Sequence, residues 1–128
     1  MSARDLLVGA VATALKPVPA TVFDAPPVRG GVPHAVVEEP VLADWSASGW
    51  RGREGRLAVT LVDEGERPRR LRGLLAMVEE LVPTAGPALG QGWRIANLRL
   101  VRSRLAATAP GRWRGTAEFL VRLYREDA

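Results

Sequence analysis

The chain has no cysteine, one lysine (Lys16), one histidine (His34) and only 5% aromatic residues. Without sulfur ligands there is no disulfide framework, no thiolate nucleophile and no cysteine-based zinc site, which fits a reducing compartment. No apolar run approaches the roughly 18 residues that span a bilayer, so no membrane partner is expected. The opening "MSARDLLVGAVATALKP" faintly imitates a leader in its small residues near Ala14. Its single arginine is balanced by Asp5, however, and its apolar positions recur with helical spacing, so it is read as a helix of the folded protein.

What the chain has in quantity is arginine. Seventeen of its eighteen basic residues are arginine, against fourteen acids, for a net charge of +4. Arginine in place of lysine, with much Ala, Gly, Val and Pro, reflects GC-rich coding and is not by itself a nucleic-acid signature. The placement says more. Eight arginines lie between Arg94 and Arg125 against Glu118 alone, so positive charge gathers in the C-terminal third, where it attracts anionic surfaces. At 128 residues one domain with a real core fits and two do not, so residues 1–128 are expected to form a single domain.

Leu7, Ala10, Val11, Ala14 and Leu15 recur at spacings of three and four, predicting a first helix capped by Ser2 with Asp5 and ended by Pro17 and Pro19. The next stretch, "TVFDAPPVRGGVPHAVVEEPVLADWS", alternates β-branched pieces with Pro and Gly. It predicts short extended segments at 21–24, 34–39 and 41–46. "GRLAVTLVD", residues 55–63, predicts a central strand, because Leu57, Val59 and Leu61 alternate with residues that are themselves fairly apolar. Leu71, Leu74, Leu75, Val78, Leu81 and Val82 form the stripe of a second helix, with Pro68 at its start and Pro83 at its stop. "PTAGPALGQG" reads as a loop. Two long strands follow, Trp93 to about Thr108 and Arg112 to Glu126, joined through "APG". The apolar face of the first runs into Arg102 and Arg104, so the hairpin is expected to outgrow its sheet and project an arginine-rich end. The expected fold is α+β: an antiparallel sheet of about four strands, two helices on one face and a long C-terminal β-hairpin.

Catalytic chemistry finds little footing. His34 sits in a strand-like setting, and the adjacent Glu38 and Glu39 point to opposite faces of a strand, so neither makes a convergent acid/base pair. Glu79 and Glu80 fall on the solvated side of the second helix. "GQGW" lacks both the dinucleotide glycine pattern and a Walker lysine, no acidic spacing resembles a metal loop, and no serine sits in a nucleophile elbow. No enzyme activity, cofactor or metal is expected. The tryptophans lie beside arginines at "GWRGR", "GWRIA" and "GRWRG", an arrangement that serves either base stacking or protein-interface anchoring. Trp45 and Trp93 are read as core or sheet-edge residues; Trp50 and Trp113, in Gly/Arg-rich turns, are candidate interface residues.

In order along almost the whole chain, "TVFDAPPVRGGVPHAVVEE", "ADWSASGWRGREGRLAVTLVDEG", "RPRRLRGLLAMVEELV" and "WRIANLRLVRSRLAATAPGRWRGTAEFLVRLYRED" resemble the tail terminator or tail completion proteins of long-tailed phages and the related component of bacterial gene transfer agents. The sequence departs from that pattern where His34 replaces an aromatic after Pro33, where Trp50 enlarges a loop, and where the central strand ends in "VDEG" in place of an aromatic. The resemblance implies a structural protein of a phage-like particle, assembled in the bacterial cytoplasm. It implies a homo-oligomeric ring, usually a hexamer, that caps the tail tube, ends tail elongation and joins the tail to the neck or head connector. Its partners would be copies of itself, the tube protein and the neck protein, with DNA passing through the lumen without specific binding. On that reading the interface residues are Trp50, Arg51 and Arg53 in an adaptable loop from Ser46 to Glu54, and Arg102, Arg104, Arg112, Trp113 and Arg114 at the hairpin end. The alternatives from the residues alone are a nucleic-acid-binding module using the arginine-rich hairpin, or another neck or connector component of similar fold.

Overall fold

A computed structural model describes residues 1–126. Helix α1 (Ala3–Ala14) starts at the expected cap: the Ser2 hydroxyl accepts from the Asp5 N–H and the Asp5 carboxylate accepts from the Ser2 N–H, both at 3.1 Å, closing a capping box. It buries Leu7 and Val11, and Leu15 just beyond its end is buried with them. Helix α2 (Arg69–Leu81) follows Pro68, buries Leu71, Leu74, Leu75 and Val78, and passes into a 3-10 turn (Val82–Thr84) at Pro83. Gly73 faces open space on the solvent side of α2, so its cost is one of helix propensity, about 1 kcal/mol relative to Ala, and not of packing.

Among the described residues the sheet has seven strands, not about four: β1 (Thr21–Phe23), β2 (His34–Val37), β3 (Val41–Asp44), β4 (Trp50–Glu64), β5 (Ala88–Gly90), β6 (Trp93–Ala109) and β7 (Arg112–Glu126). Their order is β1-β2-β4-β7-β6-β5, with β3 lying beyond β2 along the same margin of β4. The pairing is antiparallel except where β1 runs parallel to β2, Val22 opposite Ala35. The expected loop before Trp93 contains β5, a three-residue strand opposite the start of β6.

The long hairpin does not outgrow its sheet. β4 pairs with β7 along its whole length, from Trp50 opposite Glu126 to Glu64 opposite Arg112. Nor does the apolar face of β6 stop at Arg102. Register shifts between Ile95 and Asn97, Leu100 and Arg102, and Ala107 and Ala109 each insert one residue, and each reverses the phase of the alternation. Ile95, Leu98, Leu100, Ser103 and Leu105 therefore share one face, opposite Leu123, Val121, Phe119, Ala117 and Gly115, while Arg99, Arg102 and Arg104 share the other.

Both helices cover the first of these faces. Leu57, Val59 and Leu61 of β4, Phe119, Val121 and Leu123 of β7, and Leu98 of β6 join the helix stripes in one core. Each such side chain contributes about 1.5–3 kcal/mol on leaving water. Two polar links tie α2 to the sheet: Arg70 grips Asp63 at the end of β4, and the Ser103 hydroxyl of β6 donates to Glu79 at 2.5 Å. Glu79 is thus half-buried against β6, where the sequence suggests a solvated position, whereas Glu80 is exposed.

Candidate functional site

The stretch from Ser46 to Glu54 is a hairpin and not a loop. Ala47 and Trp50 exchange backbone hydrogen bonds at 3.1 and 3.2 Å around Ser48 and Gly49, and Gly49 takes the φ of +88° that a two-residue turn favours. Gly52 and Gly55 let β3 approach: a Cβ on Gly52 would strike the Trp45 carbonyl and the Trp50 ring, and one on Gly55 would strike the Val41 carbonyl. Trp50 lies edge-on to Trp45 with ring centroids 5.0 Å apart, and both rings are half-buried. Together with Tyr124, Ala96 and Glu126 they line a cleft of about 490 Å³ on the helix-free side of the sheet. Its wall is braced by Arg122, which stacks 4.8 Å over the Trp45 ring and donates to Glu54 at 3.0 Å. Trp93 is 6% exposed, as a core residue should be, with the guanidinium groups of Arg53 and Arg125 at 5.9 and 5.2 Å from its ring.

The helix-free face carries the charge. Register places Arg94, Arg99, Arg102 and Arg104 of β6 beside Tyr124, Leu120, Glu118 and Thr116 of β7, with Arg112, Arg114 and Arg122 in the same β7 row. Three arginines of this face are answered within the fold: Arg102 by Glu118 at 2.7 Å, Arg122 by Glu54, and Arg112 by Glu64 at a looser 3.9 Å. Among the described residues, Arg94, Arg99, Arg104 and Arg114 have no carboxylate partner. Where the sheet curls, Arg102 and Arg104 share a hollow of about 380 Å³ with Glu38, Thr116 and Glu118.

The candidate interface residues thus fall into three places. Trp50, Arg51 and Arg53 lie at one end of the β4–β7 ladder and Arg112, Trp113 and Arg114 at the other, on the order of 40 Å apart at strand spacing. Arg102 and Arg104 lie between. Trp50 and the hairpin arginines share the open face, while Arg51, Arg53 and Trp113 alternate onto the helix-covered side. Arg53 donates to the Gly52 carbonyl at 2.8 Å and pairs with Asp44 at 3.3 Å. Trp113 is half-buried against the core, and its indole N–H donates to the Gly65 carbonyl at 3.0 Å, fastening the β4–α2 turn to the hairpin end. Trp45 and Tyr124 complete the aromatic cleft. The alternation of β7 places Tyr124 in the row of Arg122, but Trp45 meets Trp50 only through the turn.

A second feature is the outer edge of β6. β5 covers only its first residues, Trp93 and Arg94. The Ile95 N–H donates to the Pro87 carbonyl at 2.7 Å, and among the described residues no strand pairs with that edge from Ala96 to Ala109.

His34 is structural: its Nδ1 lies 2.9 Å from the Gly31 carbonyl and its ring meets Phe23 edge-on at 5.7 Å. Among the described residues no three His, Asp or Glu side chains stand together as a metal ion requires. Among the described residues the one buried charge is Asp63, gripped by Arg70, whose hydrogen bonds hold its carboxyl below the usual carboxylate range.

Residues 4–124 match the family model described as tail completion protein gp17. The chain belongs to the tail completion protein family. It is accordingly a structural component of a phage-like particle. Among solved structures, a chain from the "Virion of native gene transfer agent (GTA) particle" shares this fold, with a TM-score of 0.68 at 20% identity over 95% of this chain and 87% of that one. A comparison with curated protein sequences finds no match.

Proposed function

We propose that this protein closes into a homo-oligomeric ring, of six subunits on the family pattern, that caps the tail tube, ends its elongation and joins it to the neck or head connector. DNA passes through the lumen. The observation that carries this reading is the β6 edge. Among the described residues no strand pairs with the outer edge of β6 from Ala96 to Ala109; its bulges and arginines guard that edge against indiscriminate pairing, yet it still offers a length of strand to a specific partner chain. The opposite margin of the sheet ends in β1 and β3, which differ from β6 in length and charge. Contacts between unlike margins, or between the unlike ends of the ladder, are heterologous, and heterologous contacts close into rings when the rotation allows. Trp50, Arg51 and Arg53 at one end and Arg102, Arg104, Arg112, Trp113 and Arg114 along the other serve the subunit, tube and neck contacts.

The test is tube growth in vitro. Tube protein polymerised with this protein should give tubes of limited length, and native mass spectrometry of the purified protein should show one discrete oligomer. Growth at the same rate to the same length with and without it would refute the capping role.

A second reading rests on Arg99, Arg104 and Arg114, three guanidinium groups without carboxylate partners on an open sheet face. This face can meet phosphates without reading sequence, which suits DNA in transit.

A further inference from the structure

The aromatic cleft at the Trp50 end has a shape that its own chain does not fill, and the chain carries a matching segment elsewhere. Trp45, Trp50 and Tyr124 wall an apolar cleft of about 490 Å³ with Glu126 among its lining residues. The absence of a Cβ on Gly52 makes room for the Trp50 ring. Aromatic-walled grooves of this kind take proline-containing segments, because the proline ring stacks on the indole and its fixed φ leaves little entropy to lose on docking.

The connection from β1 to β2 supplies such a segment, "DAPPVRGGVP". Val28, directly after Pro26 and Pro27, is wholly exposed at 102% of its reference surface, and the cationic Arg29 follows it. This connection sits beside Val62 and Arg114, at the end of the ladder opposite to the cleft. One copy does not reach its own cleft. Resting on the homo-oligomeric ring proposed above, with the ends of the ladder as its seam and the β6 edge left to the tube or neck, we infer that the Pro26–Pro27–Val28 segment of one subunit docks into the Trp45/Trp50/Tyr124 cleft of the next, with Arg29 meeting Glu126. Donor and acceptor lie at opposite ends of the subunit, so the joint runs head to tail. Every subunit gives one segment and receives one.

The cysteine-free chain allows a direct test by single cysteines under mild oxidation. Val28→Cys is on the donor, Ser48→Cys on the cleft lining, and Glu80→Cys, exposed on α2, serves as the remote control. A mixture of the first two should yield disulfide dimers of one each, at least tenfold above either mixture with the control. The double variant Val28→Cys/Ser48→Cys should give a ladder ending at the ring size. Val28→Asp, at a fully exposed position that leaves the fold intact, should weaken assembly at least tenfold. Rings that persist in native mass spectra without the Val28–Ser48 cross-link would overturn the docking joint while leaving the ring standing. A protein that stays monomeric alone and on tubes would overturn both. Cross-linking of the Ser48→Cys cleft to the tube protein and not to Val28→Cys would assign the cleft to the tube and overturn the joint.

Discussion

The Asp63 carboxylate, 3% exposed, receives two hydrogen bonds from Arg70, at 2.5 and 2.9 Å, across the turn that joins β4 to α2. A buried charge held this way depends on its partner. Arg70→Ala leaves the carboxylate with the Glu64 N–H as its remaining donor and is expected to lower the midpoint of urea unfolding. Asp63→Asn should cost less, since a neutral amide needs no counter-charge. Equal stability of Arg70→Ala and the parent would show that the pair does not fasten α2.

The same pair sets an acid limit. Because the folded Asp63 carboxyl lies below its unfolded value, its stabilisation is complete above the ordinary carboxylate range and is lost as pH falls through the lowered folded value. Thermal unfolding between neutral pH and about pH 2 should show a steeper acid loss in the parent than in Asp63→Asn. Parallel curves would contradict this assignment.

Arg104 and Arg114 have no internal carboxylate to lose, so reversing their charge tests the surface and not the fold. Arg104→Glu/Arg114→Glu should change unfolding free energy by no more than about 0.5 kcal/mol per site, yet impair assembly or docking on tubes. Arg102→Glu would in addition bring two acids together at Glu118 and destabilise the hairpin. Normal docking by the double variant would remove these arginines from the interface.

Trp50 is held by Trp45 and by the gap at Gly52. Trp50→Ala should leave a folded protein, since the ring is only half-buried, but abolish or weaken ring formation and tube docking. Gly52→Ala drives a Cβ into the Trp45 carbonyl as well as the Trp50 ring, so it should disturb the β3–β4 turn and impair assembly too. Unchanged assembly in both variants would exclude the cleft from any contact.

If the open face meets DNA, binding should be weak, insensitive to sequence and steeply dependent on salt. The slope of log affinity against log salt should become shallower by about one unit for each phosphate-contacting arginine removed. A salt-independent affinity, or a sequence preference, would contradict contact through phosphates alone.

Much of this was legible in the sequence because it is periodic. Leu71, Leu74, Leu75 and Val78 announce α2, Ser2 with Asp5 announces the start of α1, and the alternation from Ala117 to Leu123 announces the buried face of β7. What escaped depends on long-range pairing. The first turn of β4, "WRGRE", shows no hydrophobic alternation, and it is a strand because Gly52 and Gly55 let β3 lie close and β7 pairs along it. β5 is three residues, too short for a period, and is a strand only through β6, whereas β1 was expected as an extended piece at 21–24 and only its parallel pairing with β2 was hidden. The bulges in β6 hid the continuity of its faces, so Arg102 and Arg104 looked like the end of an apolar strand and not its other side. The bond from the Trp113 indole N–H was equally hidden, because its acceptor, the Gly65 carbonyl, lies 48 residues away in sequence.

The most direct measurement images the end of the tail. Tail tubes mixed with this protein and viewed by negative-stain microscopy should carry one extra ring at a single end, and ringed ends should neither elongate further nor accept a second cap. Tubes that show bare ends, or that keep lengthening beside a protein that remains monomeric at high concentration, would contradict the account.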